Sequence, residues 1–157
     1  MLPVSSIDAM DLSTLGEAMK STVPWVRTAG IEFKEVTATR VVTVLPDDPA
    51  NHNHVGGAHA AVAFGLAETA SGAVVLASFS EQLARATPLV KRSEIDYKKV
   101  AMGDLTAEAV LGRPAEEIVA ELDNGTRPEF PVHVTIRNAE DVPTAEVTVT
   151  WTLRPNR

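Results

Sequence analysis

Cysteine is absent from the 157-residue chain, and aromatic residues make up only 4% of it. Without a thiol, the protein can form neither a disulfide nor a thiolate nucleophile, which agrees with a cytoplasmic location. No apolar run reaches the ~20 residues needed to span a bilayer. Residues 1–19 lack the basic segment followed by an apolar one that marks a signal peptide. We therefore predict a cytoplasmic protein with no membrane span.

Positive charge is also scarce, with 14 lysine and arginine residues against 21 aspartate and glutamate residues and a net charge of -7. Such a surface repels phosphate backbones, so we predict that nucleic acid is not the main partner. Internal repeats and low-complexity stretches are absent. The length suits one domain with a sizeable core, and we predict a single domain over residues 1–157.

Apolar and polar residues alternate in four segments of the second half of the chain, a pattern typical of half-buried strands. One side of each segment then faces the core and the other faces water, as in an antiparallel sheet. The four segments cover residues 94–98, 105–111, 130–137 and 146–153. We further predict an N-terminal helix at about 12–23 that Pro24 ends, strands at 31–36 and 39–45, and a short helix over 114–122.

A long central helix is predicted at about 57–79, because residues 56–80 contain no proline and many alanines. Its apolar residues cover most of its faces, so it should be largely buried. One apolar helix beside one antiparallel sheet is an α+β arrangement. We expect the sheet to wrap around the helix.

Glu68 is the only charged side chain on this helix apart from the titratable His59. It shares a face with Phe64, Ser71 and Gly72, which become candidate substrate-binding residues. A lysine or arginine three or four residues away, which could pair with it, is missing. A buried unpaired carboxylate is costly and has a raised pKa, so Glu68 is a candidate base, nucleophile or acid. The alternative is a helix edge in water on which Glu68 simply lies.

The segment before the helix, residues 53–61, contains groups that can bind a carbonyl oxygen. Gly56 and Gly57 let the backbone approach a ligand closely. The first N–H groups of the helix, including that of Ala60, carry partial positive charge and can polarise a carbonyl. The alternative is a glycine-containing loop that merely enters a helix. Three nearby histidines raise the question of a metal site, but without cysteine and a defined ligand set we predict no metal.

The spacing of Asn53, Gly56, His59 and Glu68 resembles that of the hotdog-fold acyl-CoA thioesterases of the phenylacetate type. Their loop commonly reads N-x-x-G-x-x-H-G-G, and the order of elements agrees from about residue 12 to residue 154. The resemblance implies a hotdog fold and hydrolysis of an acyl-CoA or other pantetheine thioester. It implies Glu68, Asn53, His59 and the N–H of Ala60 as catalytic groups, with CoA as part of the substrate and no further cofactor.

The resemblance also implies a homodimer or homotetramer. His59 and Glu68 are nine residues apart, about 180° around the helix axis, and cannot easily share a site within one chain. In the family, the carboxylate of one subunit faces the loop of its partner.

Ala60 and Ala61 stand where the family has paired glycines, which favours an alternative function as a non-catalytic acyl or lipid binder or an assembly module. A hydratase or dehydratase is a third possibility, although its proline-bearing motifs are missing. A basic cluster could receive the phosphates of CoA or be a solvated strand face. Its members are Arg85, Lys91, Arg92, Lys98 and Lys99. Trp25 and Trp151 are expected to fill the core or an interface.

Overall fold

A computed structural model describes residues 12–157, and within them the chain forms six strands and four α-helices. Residues 1–11, on which the prediction of no signal peptide partly rests, lie outside the described residues. The helices are α1 (Leu15–Thr22), α2 (Pro24–Ala29), α3 (Ala60–Ser78) and α4 (Ala115–Asp123). The strands are β1 (Glu32–Val36), β2 (Arg40–Leu45), β3 (Ala86–Tyr97), β4 (Leu105–Leu111), β5 (Glu129–Arg137) and β6 (Pro143–Pro155).

The six strands form one antiparallel sheet in the order β1-β2-β4-β5-β6-β3, and the sheet wraps around α3. Small side chains on α3 let the strands approach its backbone closely, and Ala67, Ala70 and Val74 are fully buried. Alternate residues of the inner strands β2, β4 and β5 face this helix, as Ala107 and Ala109 of β4 do, while their neighbours face outward. The predicted α+β arrangement is therefore confirmed.

Pro24 both ends one helix and begins another, which the sequence prediction of a helix at 12–23 did not include. A 3₁₀ turn at Leu12–Thr14 leads into α1, and Pro24 occupies the first turn of α2. The fixed φ of proline suits that position, where its missing N–H costs nothing. Gly30 then ends α2 with a φ of 77°, a left-handed conformation that glycine adopts without strain. Together α1 and α2 pack beside α3.

The central helix starts three residues later than predicted, at Ala60, because residues 53–59 form a loop. Strand β3 starts earlier than predicted, at Ala86 rather than near residue 94. The alternation that reveals a strand is missing over its first half, since β3 is an edge strand with much of both faces exposed. Tyr97 ends this strand close to the start of α3.

Helix α3 is also long and apolar enough to cross a membrane, with a mean hydropathy of 1.7 over 18 residues, contrary to the prediction that no run is long enough. However, 61% of that window is buried inside the protein. The core helix of a soluble protein passes the same test of length and composition, so the helix is weak evidence for a membrane span. The cytoplasmic location stays a prediction.

Candidate active site

Asn53 holds together the loop that precedes α3. Its side-chain oxygen accepts hydrogen bonds from the backbone N–H groups of Val55 (3.0 Å) and Gly57 (3.1 Å), and its amide donates to the carbonyl of Ala58 at 3.3 Å. Gly56 turns the loop with a φ of 81°. The amide of Asn53 is therefore occupied within its own loop, and its role is to position the start of the helix.

Gly57 lies beneath the segment that follows β3. A Cβ at this position would lie 2.7 Å from the backbone oxygen of Ala101, so only glycine fits. The Ala58 N–H donates to that same oxygen at 2.8 Å, and the His59 N–H donates to the Asn51 carbonyl at 2.8 Å. Gly57 is thus a packing residue, and the structure gives no cavity contact to support the prediction that it binds substrate.

His59 caps the N-terminus of α3, where its Nδ1 accepts a hydrogen bond from the N–H of Ala61 at 3.0 Å. The His59 carbonyl accepts from Val62 and Ala63, each at 2.9 Å. Among residues 12–157, the N–H of Ala60 is the one in this first turn that has no acceptor. It is the donor that remains available to a carbonyl oxygen, and the catalytic role predicted for it stays a prediction.

A cavity of about 450 Å³ opens at this helix N-terminus. The Asn53 loop and the end of β3 form its walls. At the end of β3, the Tyr97 hydroxyl donates to the Ala60 carbonyl at 2.8 Å. Partial burial raises the pKa of Tyr97. The lining residues are Asn53, Ala58, Ala60, Ala63, Tyr97, Lys98, Lys99, Val100 and Ala101. This cavity offers one backbone donor, one phenol and two ammonium groups to a ligand.

The basic cluster predicted around β3 divides into separate groups. Arg85 forms an ion pair with Asp123 at 2.7 Å, and Lys91 forms one with Glu129. By contrast, Lys98 and Lys99 line the cavity at the start of α3. Two of the five basic residues are thus placed where a phosphate group beside that cavity would meet them.

Glu68 lies in a different cavity, of about 230 Å³, between α1, α2, α3 and the sheet. The side chain is half-buried, and burial raises its carboxyl pKa above the usual value. No ion pair or hydrogen bond to its carboxylate occurs among residues 12–157. The walls are mainly apolar: Met19, Val23, Val26, Thr69, Gly72, Leu76, Pro88 and Trp151. An unpaired carboxylate in such surroundings suits an acid, base or nucleophile.

The two cavities have no lining residue in common. Ala60 and Glu68 are eight residues apart on one helix, which separates them by about 12 Å along its axis. Within one chain, the two groups of the predicted site, the Ala60 N–H and the Glu68 carboxylate, therefore lie in two separate cavities. Of the other predicted substrate-binding residues, Gly72 lines the Glu68 cavity, Phe64 packs against the core, and the Ser71 hydroxyl accepts from Nε1 of Trp151 at 3.1 Å.

Residues 13–153 match a family described as a domain of unknown function, DUF4442. The chain belongs to this family. No curated protein sequence matches it. Solved structures that resemble it include a Pseudomonas aeruginosa protein of unknown function, PA5026, described as a probable thioesterase. That structure has 24% sequence identity and a TM-score of 0.83, with 94% of this chain and 97% of the other covered.

Two further solved structures show the same fold. Thioesterase HI1161 from Haemophilus influenzae is 18% identical, with a TM-score of 0.74 and coverage of 93% of this chain and 92% of its own. The Escherichia coli PaaI protein from the phenylacetic acid degradation operon is 15% identical, with a TM-score of 0.70 and coverage of 90% and 91%. The predicted hotdog fold is confirmed for this DUF4442 protein.

Tyr97, Met19 and Trp151 line the cavities of the DUF4442 protein, which was not predicted from the sequence. Trp151 is 8% exposed and packs in the core, as predicted, whereas Trp25 is 40% exposed on α2. These residues come from strands and helices distant in sequence from α3. Their positions depend on tertiary packing, and no local pattern in the sequence indicates them.

Histidines do not form a cluster suited to a metal within the part of the chain that the structure describes, where no group of three potential ligands converges. His52 contacts Asp47, with 2.6 Å between Nε2 and Oδ1, and His59 is occupied as the helix cap. These side chains have structural partners in the loop, and the prediction of no metal stays a prediction.

Proposed function

We propose that this protein hydrolyses the thioester of an acyl-CoA or another pantetheine carrier, with Glu68 as general base or nucleophile. The observation that carries the proposal is the unpaired carboxylate of Glu68 beside an apolar cavity. Its raised pKa makes it a stronger base than an exposed carboxylate. The names of the similar structures support a thioester as the substrate, and the cofactor-free reaction needs only water and the CoA-bearing substrate itself.

With Glu68 as general base, water adds its oxygen to the thioester carbonyl carbon while Glu68 takes a proton from that water. With Glu68 as nucleophile, a carboxylate oxygen bonds to that carbon instead, the thiolate leaves, and water then hydrolyses the resulting anhydride, which releases the acid and restores the carboxylate. The N–H of Ala60 donates to the carbonyl oxygen as negative charge develops on it. The carbon–sulfur bond breaks, and the thiolate of the carrier leaves and regains a proton. The products are a carboxylic acid and the free thiol.

We further propose that two copies of the chain complete each active site. The Glu68 cavity of one copy would face the Ala60 cavity of the other, since the two cavities are separate within one chain. The free edge of β3 supports this arrangement because an unpaired strand edge is a template for pairing with a second copy. Val90 and Tyr97 are exposed along that strand, at 40% and 51%. A tetramer of two such dimers is compatible with the same pairing.

A non-catalytic acyl binder is the second candidate, and one observation favours it. Ala60 carries a methyl group where the related thioesterases have glycine, which narrows the approach to the N–H. The Lys98 and Lys99 ammonium groups beside that cavity suit the phosphates of CoA in either case. A hydratase or dehydratase has no specific observation in its favour.

Hydrolysis of a panel of acyl-CoA thioesters by the wild type and by Glu68→Gln tests the proposed function. The substitution keeps the size of the side chain and removes the base, so turnover should fall by about 10²–10⁴-fold. Substrate affinity should change much less, because the lost interaction acts mainly in the transition state. Glu81→Gln, an equal change at an exposed position past the end of α3, is the matched control.

Equal turnover by wild type and a well-folded Glu68→Gln variant would show that Glu68 is not the catalytic group. Absence of hydrolysis across the whole panel, together with measurable binding of acyl-CoA, would favour the non-catalytic binder instead.

A further inference from the structure

Two glycines flank Glu68 on one face of α3, and a tryptophan ring lies on each. Gly65 and Gly72 are three residues before and four residues after Glu68, so all three share one side of the helix. A Cβ at Gly65 would overlap the indole of Trp25. At Gly72 a Cβ would lie 3.5 Å from Cη2 and Cζ2 of Trp151. The Trp25 ring thus occupies the space of a side chain at Gly65, whereas the Trp151 ring lies at ordinary contact distance from a Cβ at Gly72.

Trp151 is held in this position by more than packing. Its Nε1 donates to the Ser71 hydroxyl at 3.1 Å, and that hydroxyl donates in turn to the Glu68 carbonyl at 2.7 Å. The ring is almost fully buried, and both Trp151 and Gly72 line the cavity that contains Glu68. A wall fixed by both a hydrogen bond and backbone contact cannot easily move aside for a longer ligand.

The cavity itself is small. A cavity of about 150 Å³ lined by apolar side chains holds one benzene molecule, which is about 25 Å³ per carbon. By that ratio the 230 Å³ beside Glu68 corresponds to about nine carbons. Long fatty acyl chains need more space than this, whereas short-chain, branched or single-ring acyl groups do not. The lining is mainly apolar, so an acyl group with its own charge would lose hydration without compensation.

We infer that this cavity receives a compact, uncharged acyl group and that Trp151, seated on Gly72, sets the upper limit of its size. The inference rests on the proposed function, since it assigns the acyl part of that substrate to the cavity beside Glu68. Trp25 packs on Gly65, three residues before Glu68, and Glu68 itself is half-buried.

Two substitutions should move the size limit in opposite directions. Gly72→Ala adds a methyl group at ordinary contact distance from Trp151 and 3.9 Å from Cε of Met19, so it narrows the cavity without a clash. Trp151→Phe removes part of the wall and widens the cavity. Val74→Ala perturbs the buried helix away from the cavity and is the control.

The measurement is calorimetric titration with non-hydrolysable S-alkyl thioethers of CoA, from butyl to tetradecyl. Each methylene that enters the wild-type cavity should tighten binding about four-fold, the factor for burying one CH₂ group, until about octyl. Affinity should then level off or fall. The limit should come at shorter chains in Gly72→Ala and at longer chains in Trp151→Phe, with the wild-type limit retained in Val74→Ala.

The inference is overturned if tetradecyl thioether binds the wild type most tightly, if no thioether binds, or if Gly72→Ala and Trp151→Phe leave the length limit unchanged. Failure of the proposed function gives a different result: no hydrolysis of any acyl-CoA while the length limit in binding persists. If acyl-CoA is hydrolysed but the length limit is the same in the wild type, Gly72→Ala and Trp151→Phe, this inference is contradicted and the proposed function is not.

Discussion

Glu68 sits where a charged carboxylate is costly, and this position makes two properties of the protein depend on pH. Burial raises its pKa above the ordinary value of 4.5. The folded state therefore binds a proton more tightly than the unfolded state, and the contribution of Glu68 to stability is fully present below pH 4.5 and lost as the pH rises through the raised pKa. The same proton must be absent when Glu68 acts as a base.

We predict that Glu68→Gln is more stable than the wild type at neutral pH and that this difference disappears below about pH 4.5. Thermal melts of both proteins across acidic and neutral pH provide the measurement. The acidic limb of kcat/KM in the wild type should likewise lie above pH 4.5, since activity needs the deprotonated carboxylate. A stability difference that is constant with pH would mean that Glu68 titrates as an exposed group does.

Asn53 is the second residue with a role that can be tested alone. In Asn53→Ala, the N–H groups of Val55 and Gly57 lose their acceptor and the Ala58 carbonyl loses a donor. At ~0.5–1.5 kcal/mol for each of these net hydrogen bonds, the free energy of unfolding should fall by about 1.5–4.5 kcal/mol. Asn53→Asp keeps the acceptor and loses only the bond to Ala58. Its free energy of unfolding should therefore fall less than that of Asn53→Ala. Urea unfolding compares the variants, and equal losses in both would contradict the assigned role of the side-chain oxygen.

At the scale of the element, a proline substitution at the N-terminus of α3 can remove the backbone N–H of Ala60 without breaking the helix. Ala60 is the first residue of the helix, a position where proline is favoured and its missing N–H breaks no helical bond. His59 before it has a φ of -58° and a ψ of 138°, the conformation that a residue preceding proline prefers. Ala60→Pro thus removes the proposed oxyanion donor while keeping the helix.

We predict that Ala60→Pro lowers kcat by about 10²–10³-fold, the usual effect of losing one oxyanion donor. Ala60→Ser retains the N–H and is the matched control, with turnover near that of the wild type. Steady-state hydrolysis and a circular dichroism spectrum of each variant give the result. If a folded Ala60→Pro protein retains full turnover, a different group binds the thioester oxygen.

The elements differ in how far the sequence revealed them. Strands β4, β5 and β6 were predictable because each has one face on the core and one in water. The first half of β3 was not, since an edge strand lacks that contrast, and α2 was missed because proline at a helix start resembles proline at a helix end. Glu68 and the Asn53 loop were identifiable from local spacing. The tryptophans on Gly65 and Gly72 were not, because those contacts join segments far apart in the chain.

At the scale of the whole molecule, we propose that two chains together complete each site. One chain holds the Ala60 N–H and the Glu68 carboxylate in cavities that share no residue. A two-fold axis beside β3 would place the Glu68 cavity of each chain against the Ala60 cavity of the other. Each dimer would then contain two equivalent sites. This arrangement accounts for the exposed strand edge and for two incomplete cavities at once, and it is the central claim about how the protein works.

Mixing the two inactive variants tests that claim most directly. In Glu68→Gln each chain keeps the Ala60 donor, and in Ala60→Pro each chain keeps the carboxylate. A mixed dimer would therefore contain one complete site. When equal amounts are co-folded, half of the dimers are mixed with one of two sites intact, so hydrolysis should return to about a quarter of the wild-type rate. A co-folded mixture no more active than its separate components would contradict the account, because both groups would then have to act within one chain.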